Sequence, residues 1–205
     1  MSDSVGDNIK AIRASWDFSG NTALNFDKHV SKSVPGYKEG HDIILTLSDY
    51  FVTKKNSYII DIGSSTGILL RKLSDRHENK ELNLLGIDSV EEMCKIAREK
   101  NSGSKNNILF ECNDFLSFEL KESVSIYISY YTMQFIHPSI RQDFINKIYH
   151  SLEWGGALFL FEKIRSPDAR FQDYMNQVYN DFKIRNGYTI EEVYKKTESI
   201  RGVLE

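Results

Sequence analysis

Apolar and polar positions alternate along this chain in short blocks whose period switches between that of a strand and that of a helix. Tyr58, Ile59, Ile60 and Ile62 form a β-prone run that Gly63 cuts off, and Ile68, Leu69, Leu70 and Leu73 then recur at helical spacing. Together they predict a strand, a tight glycine turn and a helix reaching His77. The theme continues with strand Leu82–Asp88, helix Val90–Lys100, strand Ile108–Cys112 and strand Val124–Tyr130. A helix from Pro138 turns Phe144, Ile148 and Leu152 inward and stops at Trp154-Gly155-Gly156. Ala157–Glu162 is almost wholly apolar, as a buried parallel strand should be. Upstream, a Pro35-Gly36 turn leads to an amphipathic helix from Glu39 with Ile43, Ile44, Leu47 and Phe51 on one face. A long helix, Asp168–Arg185, and a shorter one from Ile190 follow the last strand.

Strands alternating with helices predict an α/β, Rossmann-like fold, a mostly parallel sheet with helices on both faces. At 205 residues the chain is read as one domain. Residues 1–25 are expected as a loosely ordered arm anchored by Ile9, Ile12, Trp16 and Phe18. Residues 26–56 are a helical lid, 57–165 the βαβ core and 166–205 the C-terminal helices. A net charge of −3 gives no electrostatic case for gripping nucleic acid. The two cysteines, Cys94 and Cys112, lack metal or redox spacing and read as buried thiols of a reducing compartment. No apolar run reaches the roughly 20 residues of a membrane span, and no signal peptide is visible. The expectation is a cytoplasmic domain without membrane or metal.

The chemistry concentrates after the first strand. Glycine suits a turn where the backbone bends sharply and a ligand approaches closely. Asp61, just inside the strand end, is placed to accept from a ligand amine or from the turn's own amides. Gly63, Ser65 and Gly67 do not have the Gly-x-Gly-x-x-Gly spacing that seats a pyrophosphate, so the loop suits a ligand without phosphates. Asp88 ends the second strand about 20 residues on, where a carboxylate accepts from both ribose hydroxyls of an adenosine. Ser89-Val90-Glu91-Glu92 reads as a capping box, leaving Asp88 for the ribose. Met93 reads as core. At the third strand's end, Asp114 suits the exocyclic amine of adenine and Phe115 its ring. Tyr130, Tyr131 and His137 follow the fourth strand, at the crevice where open α/β sheets bind ligands; they are the candidates for a base beside the reacting centre.

Phe26-Asp27-x-x-Val30, Val34-Pro35-Gly36-Tyr37, Asp61-x-Gly63-x-Ser65-x-Gly67, Gly86-Ile87-Asp88-Ser89, Thr132-Met133-Gln134-Phe135 and Asp181-Phe182-Lys183-x-x-Asn186-Gly187-Tyr188 together give a family resemblance from about Phe26 onward. The chain resembles the carboxy-S-adenosyl-L-methionine (carboxy-SAM) synthases, within the class I S-adenosylmethionine (SAM) methyltransferase fold. That family makes carboxy-SAM from SAM and prephenate for wobble-uridine modification of tRNA. The resemblance implies SAM as cofactor, bound by Tyr37, Gly63, Ser64, Ser65, Asp88, Ser89, Asp114 and Phe115, with Tyr37 assigned only in this way.

Two positions depart from the family. Tyr130 stands where it carries an Asn, and Thr197, in Lys195-Lys196-Thr197-Glu198-Ser199, stands where it carries an Arg that pairs with the extra carboxylate. A hydroxyl does not replace a bidentate guanidinium; Lys196 or Arg201 would compensate only with a shifted helix register. The leading expectation is therefore a SAM-dependent methyltransferase with a small-molecule acceptor, yielding S-adenosylhomocysteine. The alternatives are a true carboxy-SAM synthase and a non-catalytic or truncated SAM-binding subunit. Class I folds usually add two strands beyond the point where Glu205 stands, so a homo-oligomer or a partner covering the sheet edge is expected.

Overall fold

The structure is a computed structural model that describes residues 4–11, 13, 16–120 and 123–201. Ile12, and the chain end at Glu205 on which the expectation of two absent strands rests, lie outside the described residues. The elements run α1 (Asn21–Ser33), α2 (Tyr37–Phe51), β1 (Tyr58–Ile62), α3 (Ile68–Arg76), β2 (Asn83–Asp88), α4 (Glu91–Asn101), β3 (Asn107–Cys112), β4 (Val124–Tyr130), a 3-10 turn (Met133–Phe135), α5 (Pro138–Ser151), β5 (Leu152–Phe161), α6 (Ala169–Arg185) and α7 (Ile190–Ile200). They fall into two compact units, Glu39–Glu162 and the pair of segments Met1–Lys38 and Lys163–Glu205.

The first unit is built on a five-stranded sheet in the order β3-β2-β1-β4-β5, with every pairing parallel. β1 lies at the centre because its residues bury on both faces, and all seven residues of β4 are buried beside it. One side of the sheet packs Ile60, Ile62, Leu85, Ile87 and Tyr127 against Phe144 and Ile148 of α5. The buried Tyr127 hydroxyl is satisfied by Ser151 Oγ at 2.7 Å. From β1 the chain steps one way to β2 and β3, then crosses to β4 and β5 on the other side. That reversal opens a crevice at the carboxyl ends of β1 and β4.

Four expectations need correction. β5 begins at Leu152, not Ala157: Trp154-Gly155-Gly156 enters the strand as a bulge, with Gly155 at φ +83° and the register shifting between Val124 and Ile126. β5 is not a buried strand either, since it pairs with β4 alone and leaves Leu160 44% exposed. In α2 the buried face is Gly40, His41, Ile44 and Ser48, while Ile43 and Leu47 face solvent. Hydrogen bonding chose this face: Ser48 Oγ meets His77 Nε2 at 2.8 Å, and Asp49 pairs with Arg76 at 2.6 Å. Cys112 is exposed, because β3 is the other edge of the sheet, whereas Cys94 is buried on the inner face of α4.

The second unit is helical, with α6 contacting both α1 and α7. Val5, Ile9, Val30 and Val193 are buried in it, and the Tyr188 hydroxyl donates to Asp7 Oδ2 at 2.7 Å. α7 opens with a capping box in which Thr189 and Glu192 satisfy each other's backbone amides. Among the described residues, no helix is long and apolar enough to cross a membrane.

Candidate functional site

The site residues of the sheet unit converge on the ends of β1 and β2. The register sets Asp61 beside Gly86 and Ile62 beside Ile87, so the loop after β1 folds over the end of β2. Gly63 N and Ser64 N both donate to Ile87 O, at 2.8 and 3.2 Å. Ser65 takes a left-handed conformation, φ +53°, and its amide donates to Asp88 Oδ2 at 2.8 Å. Gly67, at φ +75°, then starts α3. Gly86 makes room for this arrangement: a Cβ there would stand 2.6 Å from Ser64 Oγ and from the Phe110 ring.

Asp61 is 3% exposed and its Oδ1 has no hydrogen-bond partner among the described residues. Burial, with Asp88 nearby as a smaller cause, pushes its carboxyl up to about 8. A buried acceptor without a donor is costly. A cationic amine delivered by a ligand would satisfy it and restore its charge. Ser64 Oγ is likewise buried and without a partner. The cradle thus holds two buried polar atoms that no described residue satisfies.

Asp88 sits where the sequence reading puts it, but it is not left to a ribose alone. Oδ2 accepts from Ser65 N, and Oδ1 accepts from Val90 N at 2.9 Å. The capping box at Ser89 is not formed: α4 starts at Glu91, with extended Val90 as its cap residue and no side-chain cap. The chain turns one residue later than the pattern implied, and the Asp88 carboxylate takes the free amide. Each oxygen keeps a second lone pair for a hydroxyl donor. Burial raises this carboxyl too.

Phe115 is placed differently from the expectation. Its ring is 5% exposed, edge-on to Tyr127 and Phe144, with the Lys147 ammonium 5.1 Å from its centre. The ring packs into the core beside α5. Asp114 Oδ1 closes a turn on Leu116 N at 2.8 Å, and the residue remains exposed at the end of β3. Met93 is core, as read, and touches the loop through Ser65 Oγ at 3.5 Å. Tyr37 opens α2 and falls in the helical unit.

At the end of β4, Tyr130 is buried among His41, Tyr131 and Phe161, and burial holds its hydroxyl far above the ordinary range. Tyr131 bends the chain at φ +58°, a conformation that bulky side chains rarely adopt outside functional turns. His137 caps α5: Nδ1 accepts from Ser139 N at 3.3 Å and meets Ser139 Oγ at 2.8 Å. His137→Ala is expected to lower stability by about 1 kcal/mol, a typical cap loss, with cofactor affinity unchanged; denaturation curves and calorimetry check both.

Two residues that pattern reasoning passed over hold the crevice together. Thr132 Oγ1 donates to Ile62 O at 2.9 Å, tying the ends of β1 and β4. Glu162, just after β5, accepts from Met133 N at 2.6 Å and Gln134 N at 3.3 Å, fixing the 3-10 turn beside Tyr131. The only signal for Glu162 was a carboxylate at the end of an apolar run.

Residues 59–156 match a family model described as a methyltransferase domain. The chain is 41% identical over 190 residues to the carboxy-S-adenosyl-L-methionine synthase of Staphylococcus epidermidis, covering 92% of this chain and 81% of that one. The chain belongs to the carboxy-SAM synthase family. A second member, from Nautilia profundicola, is 35% identical over 195 residues and matches 95% of this chain and 82% of its own. The family resemblance carried by the motifs is therefore borne out. Among solved structures, the plantazolicin methyltransferase BpumL in complex with a triazolic desmethylPZN analog and SAH superposes with a TM-score of 0.62 at 16% identity, covering 90% of this chain and 67% of that one. That likeness fixes the class I methyltransferase fold for this family member.

Proposed function

We propose that this chain is a SAM-using transferase of the carboxy-SAM synthase type: prephenate loses CO2 and hydroxide to leave phenylpyruvate, one methyl proton of SAM departs with that hydroxide as water, and the methyl carbon bonds to the CO2. The observation that carries the cofactor is the orphaned, buried Asp61 Oδ1 at the end of β1, with Ser64 Oγ beside it. SAM fits this cradle: its amine answers Asp61, its ribose hydroxyls answer Asp88, and the absence of phosphates matches the loop spacing. Bound there, SAM supplies a methyl carbon that its sulfonium makes both electrophilic and C–H acidic. The chain's own part is positioning and exclusion of water. Buried Tyr130 and left-handed Tyr131 wall the crevice, and Thr132 and Glu162 hold that wall in place.

The carboxyl-transfer reading rests on the named relatives, whose identity to this chain runs through nearly its whole length. It displaces the expectation of methyl transfer to an unidentified small acceptor. One observation favours methyl transfer. Thr197, at the position of the family's carboxylate-binding Arg, turns its hydroxyl back onto Val193 O at 2.9 Å, and Lys196 is engaged by His29. Incubation of the purified chain with SAM and prephenate, followed by mass spectrometry of the released nucleosides, separates the two. Carboxy-SAM formed only when prephenate is present supports the synthase. SAM recovered unchanged under those conditions, with S-adenosylhomocysteine appearing once acceptors are screened, sinks it in favour of methyl transfer.

A further inference from the structure

The two cysteines show no redox spacing along the sequence, yet the fold brings them together. Cys94 sits on the inner face of α4 and is 1% exposed. Its thiol donates to Asp88 O at 3.4 Å and stands 3.7 Å from Glu111 O, the carbonyl of the peptide leading into Cys112. Cys112 ends β3 and lies opposite Asp88 in the β2–β3 register. Side chains two residues apart on a strand share a face. Phe110 shows which face this is: a Cβ on Gly67, at the start of α3, would stand 2.5 Å from its ring and 2.7 Å from Asn101 of α4. Cys112 therefore points to the α4 side, toward Cys94, and its own thiol reaches Ser89 O at 3.9 Å.

The pair differs in access. Cys112 is exposed and Cys94 is sealed beneath the helix. Burial first, then the Asp88 charge and then Cys112 itself push the Cys94 thiol up to about 12. That Cys112 acts on it at all marks the two sulfurs as neighbours. The thiolate is the nucleophile in disulfide exchange. Cys112 is thus where an oxidant enters, and Cys94 is the slower, resolving partner.

We propose that Cys94 and Cys112 form a reversible intramolecular disulfide that weakens cofactor binding at Asp88. The effect on the cofactor rests on the SAM reading above; the disulfide does not. The oxidant is a small disulfide of the glutathione type. The Cys112 thiolate attacks one of its sulfurs, forming a mixed disulfide and releasing one glutathione thiolate. The Cys94 thiol gives its proton to solvent, attacks the Cys112 sulfur and expels the second glutathione thiolate. Two protein thiols are oxidised, one small disulfide is reduced to two thiols, and the thiol protons end on glutathione. Excess thiol runs the sequence backwards.

The direction of the effect follows from what the thiols hold. Residues 88–90 join β2 to α4 and carry the ribose acceptor, Asp88. In the reduced protein the thiols contact the carbonyls of Asp88 and Ser89. A disulfide has no S–H to donate and fixes its sulfurs about 2 Å apart. Both carbonyls lose those contacts as α4 and the end of β3 are drawn together. The Asp88 carboxylate, held between Ser65 N and Val90 N, shifts with its backbone.

Mass spectrometry of the full chain incubated with glutathione disulfide follows the chemistry. A species heavier by one glutathionyl group should appear first. A species lighter than the starting chain by two hydrogens should replace it, and peptide mapping should find Cys94 joined to Cys112. Calorimetry then compares the two forms. SAM affinity should be about tenfold lower in the oxidised chain, the scale of one lost hydrogen bond, and should return on reduction. Cys112→Ser removes the entry point, so neither its mass nor its SAM affinity should respond to the oxidant. A chain that never reacts, or that stops at the mixed disulfide, overturns the disulfide. An unchanged affinity in the oxidised chain, or an affinity loss that persists in Cys112→Ser, overturns the switch. A reduced chain that binds no SAM overturns the cofactor reading and the effect at Asp88 with it, while the masses still decide the disulfide.

Discussion

SAM should bind this chain more tightly as pH rises from about 6 to 8, by up to about tenfold per unit, and the trend should flatten above 8. The reason is Asp61. Its carboxyl is pushed up to about 8 in the empty cradle, so near neutrality most molecules carry it protonated. A ligand amine pairs only with the carboxylate, and binding therefore expels about one proton at pH 7. For the empty protein the sign is opposite. A carboxyl raised from its ordinary 3.8 to about 8 lends stability that is complete at low pH and is lost as pH rises through the folded value. Rising pH should thus lower the melting temperature of the empty protein while widening the gap between loaded and empty. Asp61→Asn keeps the shape and removes the charge. Its affinity should fall by about 100- to 1000-fold, the scale of breaking a buried ion pair, and the residual binding should be flat with pH. Calorimetry in buffers of different ionisation heat counts the proton directly. A wild-type affinity flat between pH 6 and 8 would remove Asp61 from the amine site.

The part of this site that the sequence made legible is the part that backbone geometry dictates. An apolar β run stopped by Gly63, with an acid one step inside the strand, constrains the chain wherever it occurs, and Asp61, Ser65, Gly67 and Asp88 stand where that pattern put them. Side chains with two plausible employers were harder to place. An aromatic after a strand packs as readily into a core as against a ligand, and Phe115 went to the core. Ser89 carried a cap signature, yet one extended residue at Val90 handed the amide to Asp88. α1 gave no strong periodic signal, since its buried face includes Thr22, His29 and Ser33. The nearness of Cys94 and Cys112 was the least legible. Their spacing along the chain carries no redox pattern, and only the packing of α4 on the end of β3 brings the thiols together.

Gly63→Ala should be the most damaging single methyl in the sheet unit. Gly63 sits at φ +73°, where an L side chain costs about 1–2 kcal/mol. The added Cβ would also stand 2.2 Å from Thr132 Oγ1 and 2.6 Å from Thr132 Cγ2. Thr132 has no room to yield cheaply, because its hydroxyl is bonded to Ile62 O and joins the two strand ends that frame the crevice. Displacing it orphans a buried carbonyl, worth about 1–3 kcal/mol more. The sum, about 2–5 kcal/mol, is a large share of the 5–15 kcal/mol that holds a typical domain. The steric part is testable by itself. Thr132→Ala removes the two nearest atoms and leaves only Thr132 Cβ, at 3.0 Å, against the new methyl, so the double variant should be more stable than Gly63→Ala alone, although Thr132→Ala alone destabilises. Denaturant unfolding of the four proteins closes the cycle. If Thr132→Ala is equally harmful in both backgrounds, the clash is not the cause and strain at the turn must carry the whole loss. If the cycle closes as expected, the Gly63–Thr132 contact is the hinge pin of the site: one residue without a side chain, and one whose side chain fills that space, keep the β1 and β4 ends close enough to share a ligand.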